Sequence, residues 1–155
     1  MADFVFNIAK GRVHQLAMNV DTGSPANSRL LLIPFDATGA AEDSIVDATS
    51  VAAVEAVTNV TERTTGNWNR KTLAAADVTI TVDNTNNRVD VDVPDQTWTA
   101  VSAGAVTRLV FAYDPDTGTS TESTRIPLTS HDFSITPDGS DVTAQIAAAG
   151  FYRAQ

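Results

Sequence analysis

From residue 78 onward the chain alternates: Val78, Ile80 and Val82, then Val89, Val91 and Val93, with polar residues between them and Asn84-Thr85-Asn86-Asn87 separating the two runs. A period of two puts the branched side chains of each run on one side of an extended strand, and an Asn-rich turn accepts the backbone that joins antiparallel neighbours. The pattern predicts a β-hairpin with one apolar face. Strand candidates then recur at 97–101, 106–113, 122–128, 132–135 and 141–147, with Phe151-Tyr152 after them. Between them fall turns such as Asp114-Pro115-Asp116-Thr117-Gly118 and Thr136-Pro137-Asp138-Gly139, whose residue types pre-set turn geometry. Short strands at this spacing predict a mainly β (α+β) fold, an antiparallel sandwich or partly closed barrel.

The N-terminal third reads differently. Ile8, Val13, Leu16, Ala17 and Val20 recur at near-helical spacing, which predicts a short amphipathic helix over 8–20, ended by Asp21-Thr22-Gly23-Ser24-Pro25. Val51, Val54 and Val57 after Asp47 and Thr49 predict a second helix over 50–58. Between them, residues 28–35 form a continuous apolar run that contains Pro34, which suits a buried strand and not a helix. The acidic stretch 41–47 and the polar stretch 61–69 around Trp68 read as loops. The expectation is one domain over 1–155, with an N-terminal helix or arm (1–25) and a β-rich body (26–155).

Several function classes are disfavoured by composition. A chain of 155 residues buries roughly 70% of its unfolded surface, enough for a core without staples. There is no Cys, which removes disulfides, thiolate metal sites and cysteine nucleophiles. A net charge of −9 with only two lysines, Lys10 and Lys71, argues against gripping a nucleic-acid backbone. Leu30 to Phe35 is far short of the roughly 18 apolar residues that a membrane span needs. Met1-Ala2-Asp3-Phe4-Val5-Phe6-Asn7 lacks the basic region of a secretory signal, so the mature chain is expected to start near here.

Candidate chemistry is sparse. His14 falls in the first helix, where a solvated or partner-facing role is the simpler reading. Thr129-Ser130-His131-Asp132 contains the members of a Ser-His-Asp group, yet adjacent strand residues point to opposite faces, so neighbours in sequence do not assemble one. Asp90, Asp92, Asp95, Asp114 and Asp116 are the best case for calcium, but Gly118 and Arg125 stand where a calcium loop needs other residues. Asp90 and Asp92 read instead as the polar face of a half-buried strand. No glycine-rich phosphate loop occurs. Trp68, Trp98 and Tyr113 are read as core or rim residues, and a carbohydrate-binding role would require both indoles exposed on one face. No cofactor and no catalytic or metal site is expected.

The two ends carry bulky apolar residues, Phe4-Val5-Phe6 and Phe151-Tyr152, where chains usually fray unless tied down. Two readings stand open: pairing into the chain's own sheets, or docking onto a neighbouring subunit. The partner-contact set on the second reading is Phe4, Phe6, Ile8, Arg12, Phe151, Tyr152 and Arg153.

Residues 1–13, the segment Pro25-Ala26-Asn27-Ser28, the stretch 87–99 with Asp90-Val91-Asp92-Val93-Pro94-Asp95-Gln96-Thr97-Trp98, and the stretches 126–139 and 149–154 with Pro127-Leu128-Thr129, His131-Asp132-Phe133 and Gly150-Phe151-Tyr152-Arg153 resemble a family of small virion proteins of long-tailed phages infecting actinomycetes. The resemblance implies a capsid decoration or minor capsid role on the outside of the head shell. It implies the major capsid protein and further copies of the chain, such as a trimer, as partners, with no nucleic acid and no membrane. Tail-tube, head-to-tail and fibre-base positions are the alternatives within the virion, and a virion carbohydrate-binding module is another.

Overall fold

Arg29–Asp36 forms strand β2, whose six inner residues are all buried, as a continuous apolar run requires when both faces of a strand are covered. The computed structural model describes residues 2–155. One side of β2 pairs antiparallel with β8 (Val106–Asp114) along its length. The other side is shared: Leu30 to Leu32 pair with β4 (Lys71–Leu73), and Phe35 and Asp36 with β3 (Thr61–Glu62). Pro34 lies between these two pairings, where the strand needs no amide donor, and its carbonyl accepts the Arg63 amide at 2.9 Å. β8 pairs in turn with β9 (Ile126–Ile135), and β9 with the two-residue β1 (Phe4–Val5), completing a six-stranded antiparallel sheet.

The expected hairpin forms from β5 (Thr79–Asp83) and β6 (Arg88–Asp92) in continuous register. The strand β11 (Tyr152–Ala154) adds to β6 as the third member of this sheet. A smaller ribbon joins β7 (Gln96–Trp98) to β10 (Val142–Ala144). Helix α1 (Val13–Asp21) contacts β2 of the large sheet and all three strands of the second, and buries Val13, Leu16, Ala17 and Val20. The fold is mainly β, antiparallel and sandwich-like, with few short helices. No helix among the described residues is long and apolar enough to cross a membrane.

Local expectations fail where backbone chemistry intervenes. The first helix does not reach back to Ile8: Asn7–Ala9 is a 3₁₀ turn, and Gly11 at φ +76° separates it from α1. Residues 41–47 are not a loop but hold α2 (Glu42–Val46), with acidic residues in its first turn and Ile45 buried. The helix over 50–58 is only α3 (Val51–Glu55), started by Ser50, whose hydroxyl accepts the Ala53 amide. Among the described residues there are thus three short α-helices and not two. The candidates at 122–128 and 132–135 merge into β9, with a register shift opposite Phe111 and Ala112 that accommodates Pro127.

An ion cluster ties the loops together. Arg70 bonds Glu62, Glu55 and Glu122, and Arg125 bonds both Glu122 and the fully buried Asp114, the latter at 2.9 Å. Burial opposes the Arg70 charge, but its hydrogen bonds to Glu62 and Glu122 outweigh that and hold its pKa above the ordinary value. Burial, reinforced by the neighbouring Glu122, pushes the Glu55 carboxyl up.

Gly150 is the position where backbone freedom matters most. Its φ is +78°, and a Cβ there would fall inside the Val91 carbonyl, to which the next amide, Phe151, donates at 3.0 Å. Gly150→Ala is expected to cost roughly 2–4 kcal/mol, combining left-handed strain with overpacking. Urea denaturation of the two proteins measures it, and an unchanged midpoint contradicts the expectation.

Candidate functional site

Parity along β8 divides its side chains between two environments. Arg108 and Val110 stand opposite Asp132 and Ser130 of β9, while Leu109 and Phe111 stand opposite His131 and Thr129. The Leu109 and Phe111 side forms the floor of a groove of about 320 Å³ between β9 and the chain from Ala144 to Phe151, walled by Ile146 and Phe151 and rimmed by Asp3 and His131. Phe111 and Phe151 stack with centroids 3.9 Å apart and rings within 18° of parallel, and His131 meets Phe111 edge-on at 5.8 Å. These rings bury apolar area and fix one another's orientation.

On the rim, Asp3 Oδ1 accepts the Asp132 amide at 2.7 Å, and Asp3 Oδ2 lies 3.2 Å from His131 Nδ1. His131 Nε2 lies 2.9 Å from the Thr129 hydroxyl. With the imidazole neutral, Nδ1–H donates to the carboxylate and Nε2 accepts from Thr129, a carboxylate–imidazole–hydroxyl series. Ser130, His131 and Asp132 do not come together as a triad: Ser130 and Asp132 project to the other face, and Ser130 accepts from Arg108. Thr129 is 2% exposed and is not part of the groove lining, so its hydroxyl ties strand to strand and is not presented to a molecule in the groove.

Behind the rim, Arg108 is 2% exposed. Its Nε donates to Ser130 at 2.6 Å, one terminal nitrogen donates to the Ala2 carbonyl at 2.9 Å, and its guanidinium lies 4.9 Å from the Phe4 ring centre. Burial lowers its pKa against the pull of Asp132, Asp3 and Glu42.

The partner-contact set is dispersed by these interactions. Phe6 is fully buried and its amide donates to the Leu128 carbonyl, while Phe151 is buried in the stack. The docking reading set both at a subunit contact; both instead complete the chain's own core, as the other reading had it, where an aromatic ring removes most area from water. Phe4 is half-buried against Phe6, Ile8 and Tyr152 are half-buried, Arg12 is exposed, and Arg153 is exposed and bonded to Asp90 at 2.6 Å. Asp3, Leu109, Phe111 and Ile146 of the groove gave no sequence signal as site residues. The shared face of Thr129 and His131 was readable from strand parity, but their link to Asp3, 128 residues away from His131, was not.

The remaining candidates are occupied elsewhere. Trp68 and Trp98 are 2% and 1% exposed, meet edge-to-face at 5.1 Å, and donate their indole N–H groups to the Gly104 and Asn69 carbonyls. They present no exposed pair of rings for a sugar to stack on. Asp90 bonds Arg153, Asp95 accepts the Ile146 amide and Asp114 bonds Arg125. Among the described residues no group of three His, Asp or Glu side chains converges as a metal set. Comparison with protein-family models, curated proteins and solved structures finds no match.

Burial and mutual contact set how the rim groups titrate. Burial lowers the His131 pKa, outweighing the stabilising effect of Asp3. Asp3 is raised by burial but lowered further by the Asp132 amide and His131, for a net decrease. A depressed folded-state pKa contributes stability that is present above the unfolded value and lost as pH falls through the folded one. Stability is therefore expected to fall as pH drops below about 6.5, the unperturbed histidine value, and again below about 3.9 as Asp3 protonates. His131→Gln should flatten the upper of these slopes. Urea midpoints across that range decide it, and an unaltered slope contradicts the assignment to His131.

Proposed function

We propose that this chain is a structural protein of a phage virion, held on the outside of the head shell by protein–protein contacts made around the groove. The observation that carries the reading is convergence. The stretches that resemble small virion proteins are far apart in sequence, yet Asp3 from the first, His131 and Phe133 from another, and Gly150 and Phe151 from the last line one groove. β11 lies on β6, joining the last stretch to the one beginning at residue 87. A half-apolar concavity with a carboxylate–imidazole rim suits an extended segment of the major capsid protein, with one bulky apolar side chain seated against Ile146 and Phe151. The role asks for no chemical step and no cofactor. Weak contacts of standard size, on the order of 800 Å² per partner, suffice when many copies bind one lattice. The net charge of −9 gives a decorated particle an outer layer that repels its neighbours.

Deleting the N-terminal residues is a poor test, because Phe6 and the Ala2 carbonyl belong to the fold. Ile146→Lys is better: the side chain is half-buried at the groove wall, so a charge there blocks occupancy while sparing the core. Retention of the variant on purified heads is expected to fall at least ~10-fold, the effect of losing about 1.4 kcal/mol per site, and equal retention rejects the groove. Cryo-electron microscopy of the whole particle locates the chain. Density at symmetry positions on the outer shell supports the reading, density only at the tail or portal replaces the head position with a tail position, and absence from the particle overturns it.

A further inference from the structure

The outer edge of β5 is an open strand edge. β5 pairs with β6 on one side, and among the described residues no backbone hydrogen bond reaches it from the other. Exposed edges are ordinarily blunted by charge, proline or a bulge. β3, β4 and β11 carry Glu62, Lys71 and Arg153. β5 carries Thr79-Ile80-Thr81-Val82 before its one charge at Asp83, and its register against β6 is unbroken. Val82 is 61% exposed, more than any other large apolar side chain described.

We propose that a second copy of the chain docks here, β5 against β5, antiparallel about a two-fold axis at Thr81. The strand is complementary to itself in that register and poorly so in the adjacent ones. With Thr81 on the axis, Thr81 faces Thr81 of the second copy, Ile80 faces Val82, and Asp83 faces Thr79, so apolar and hydroxyl pairs meet and no like charges do. Asp83 is already held in its own chain by Asn86 at 2.7 Å and Arg88 at 3.2 Å. Moving the axis to Ile80 places Asp77 opposite Asp83, and moving it to Val82 places Ile80 opposite Asn84. Charge and apolar matching therefore select one register, as a strand pair with a defined face requires. The two three-stranded sheets become one continuous six-stranded sheet across an isologous contact. Five residues per copy make a small interface, so the expected Kd is on the order of 0.1–1 mM, with occupancy raised where copies are held close together. The inference does not depend on the virion reading, since it concerns the isolated chain.

The chain has no cysteine, so a single introduced thiol reports the register. In Thr81→Cys the two thiols sit across the axis, with Cα atoms about 4.5–5.5 Å apart and within disulfide reach. In Thr79→Cys they are separated by four residues of strand, roughly 13 Å, and cannot bridge. Both threonines are exposed, so both variants keep the fold. Under mild oxidation at about 0.5 mM, where a contact of this affinity is partly populated, Thr81→Cys is expected to form covalent dimer at least ~10-fold faster than Thr79→Cys. Equal rates, or no dimer from either variant, overturn the proposal.

Discussion

A guanidinium buried in the middle of a sheet dictates where the start of the chain must lie. Arg108 cannot remain charged among apolar neighbours without donors being met. The groups that meet them are the Ser130 hydroxyl on the next strand and the Ala2 carbonyl, with the Phe4 ring alongside. Among the described residues one terminal nitrogen has no partner, so removing the arm would leave the charge still less satisfied. Asp3 then follows onto the outer rim, where His131 and the Asp132 amide hold it, and Phe6 closes the core behind it. The arm, the buried cation and the groove rim form one unit.

Three residues further along the same strand, Phe111 does for the end of the described chain what Arg108 does for its beginning. The stack with Phe151 and the left-handed turn at Gly150 bring β11 onto β6. The groove is a by-product of this closure: it is the space left where the returning segment does not fully cover the outward side chains of β8 and β9. Its floor is apolar because alternate residues of a buried strand are apolar, and its rim is polar because β9 is near the sheet's edge, where exposure alternates beyond Ser130.

Elements governed by local period were legible in the sequence. β2 followed from an apolar run containing a proline, and the β5–β6 hairpin from strict alternation across Asn84 to Asn87. Elements decided by single backbone positions were not: Gly11 separates a turn from α1, and Ser50 starts α3 after a helix that acidic composition concealed. β9 was divided in anticipation because Thr129 to His131 supply no apolar residue to carry the alternation from one strand candidate to the next, and these polar side chains are instead bonded within the fold. The aromatic ends were recognised as anchored segments, but sequence could not say to what, because the anchors, Arg108 and Phe111, are more than 100 residues from Ala2 and 40 from Phe151. Pairings over such separations leave no local signature.

The placement of β1 on β9 and of β11 on β6 also sets the order in which the fold can be completed. Phe4 finds Ser130, and Val89 finds Ala154, so neither sheet is finished until residues far downstream have left the ribosome. The loop-closure entropy of such distant pairings must be met before their contacts contribute, which makes folding slow relative to helical domains of the same size. Until Gly150 turns and Phe151 seats, Phe111 faces solvent, and a nascent chain exposes the apolar surface that later becomes the groove floor. Chains released before residue 150 keep that surface exposed and are thus set to aggregate rather than fold.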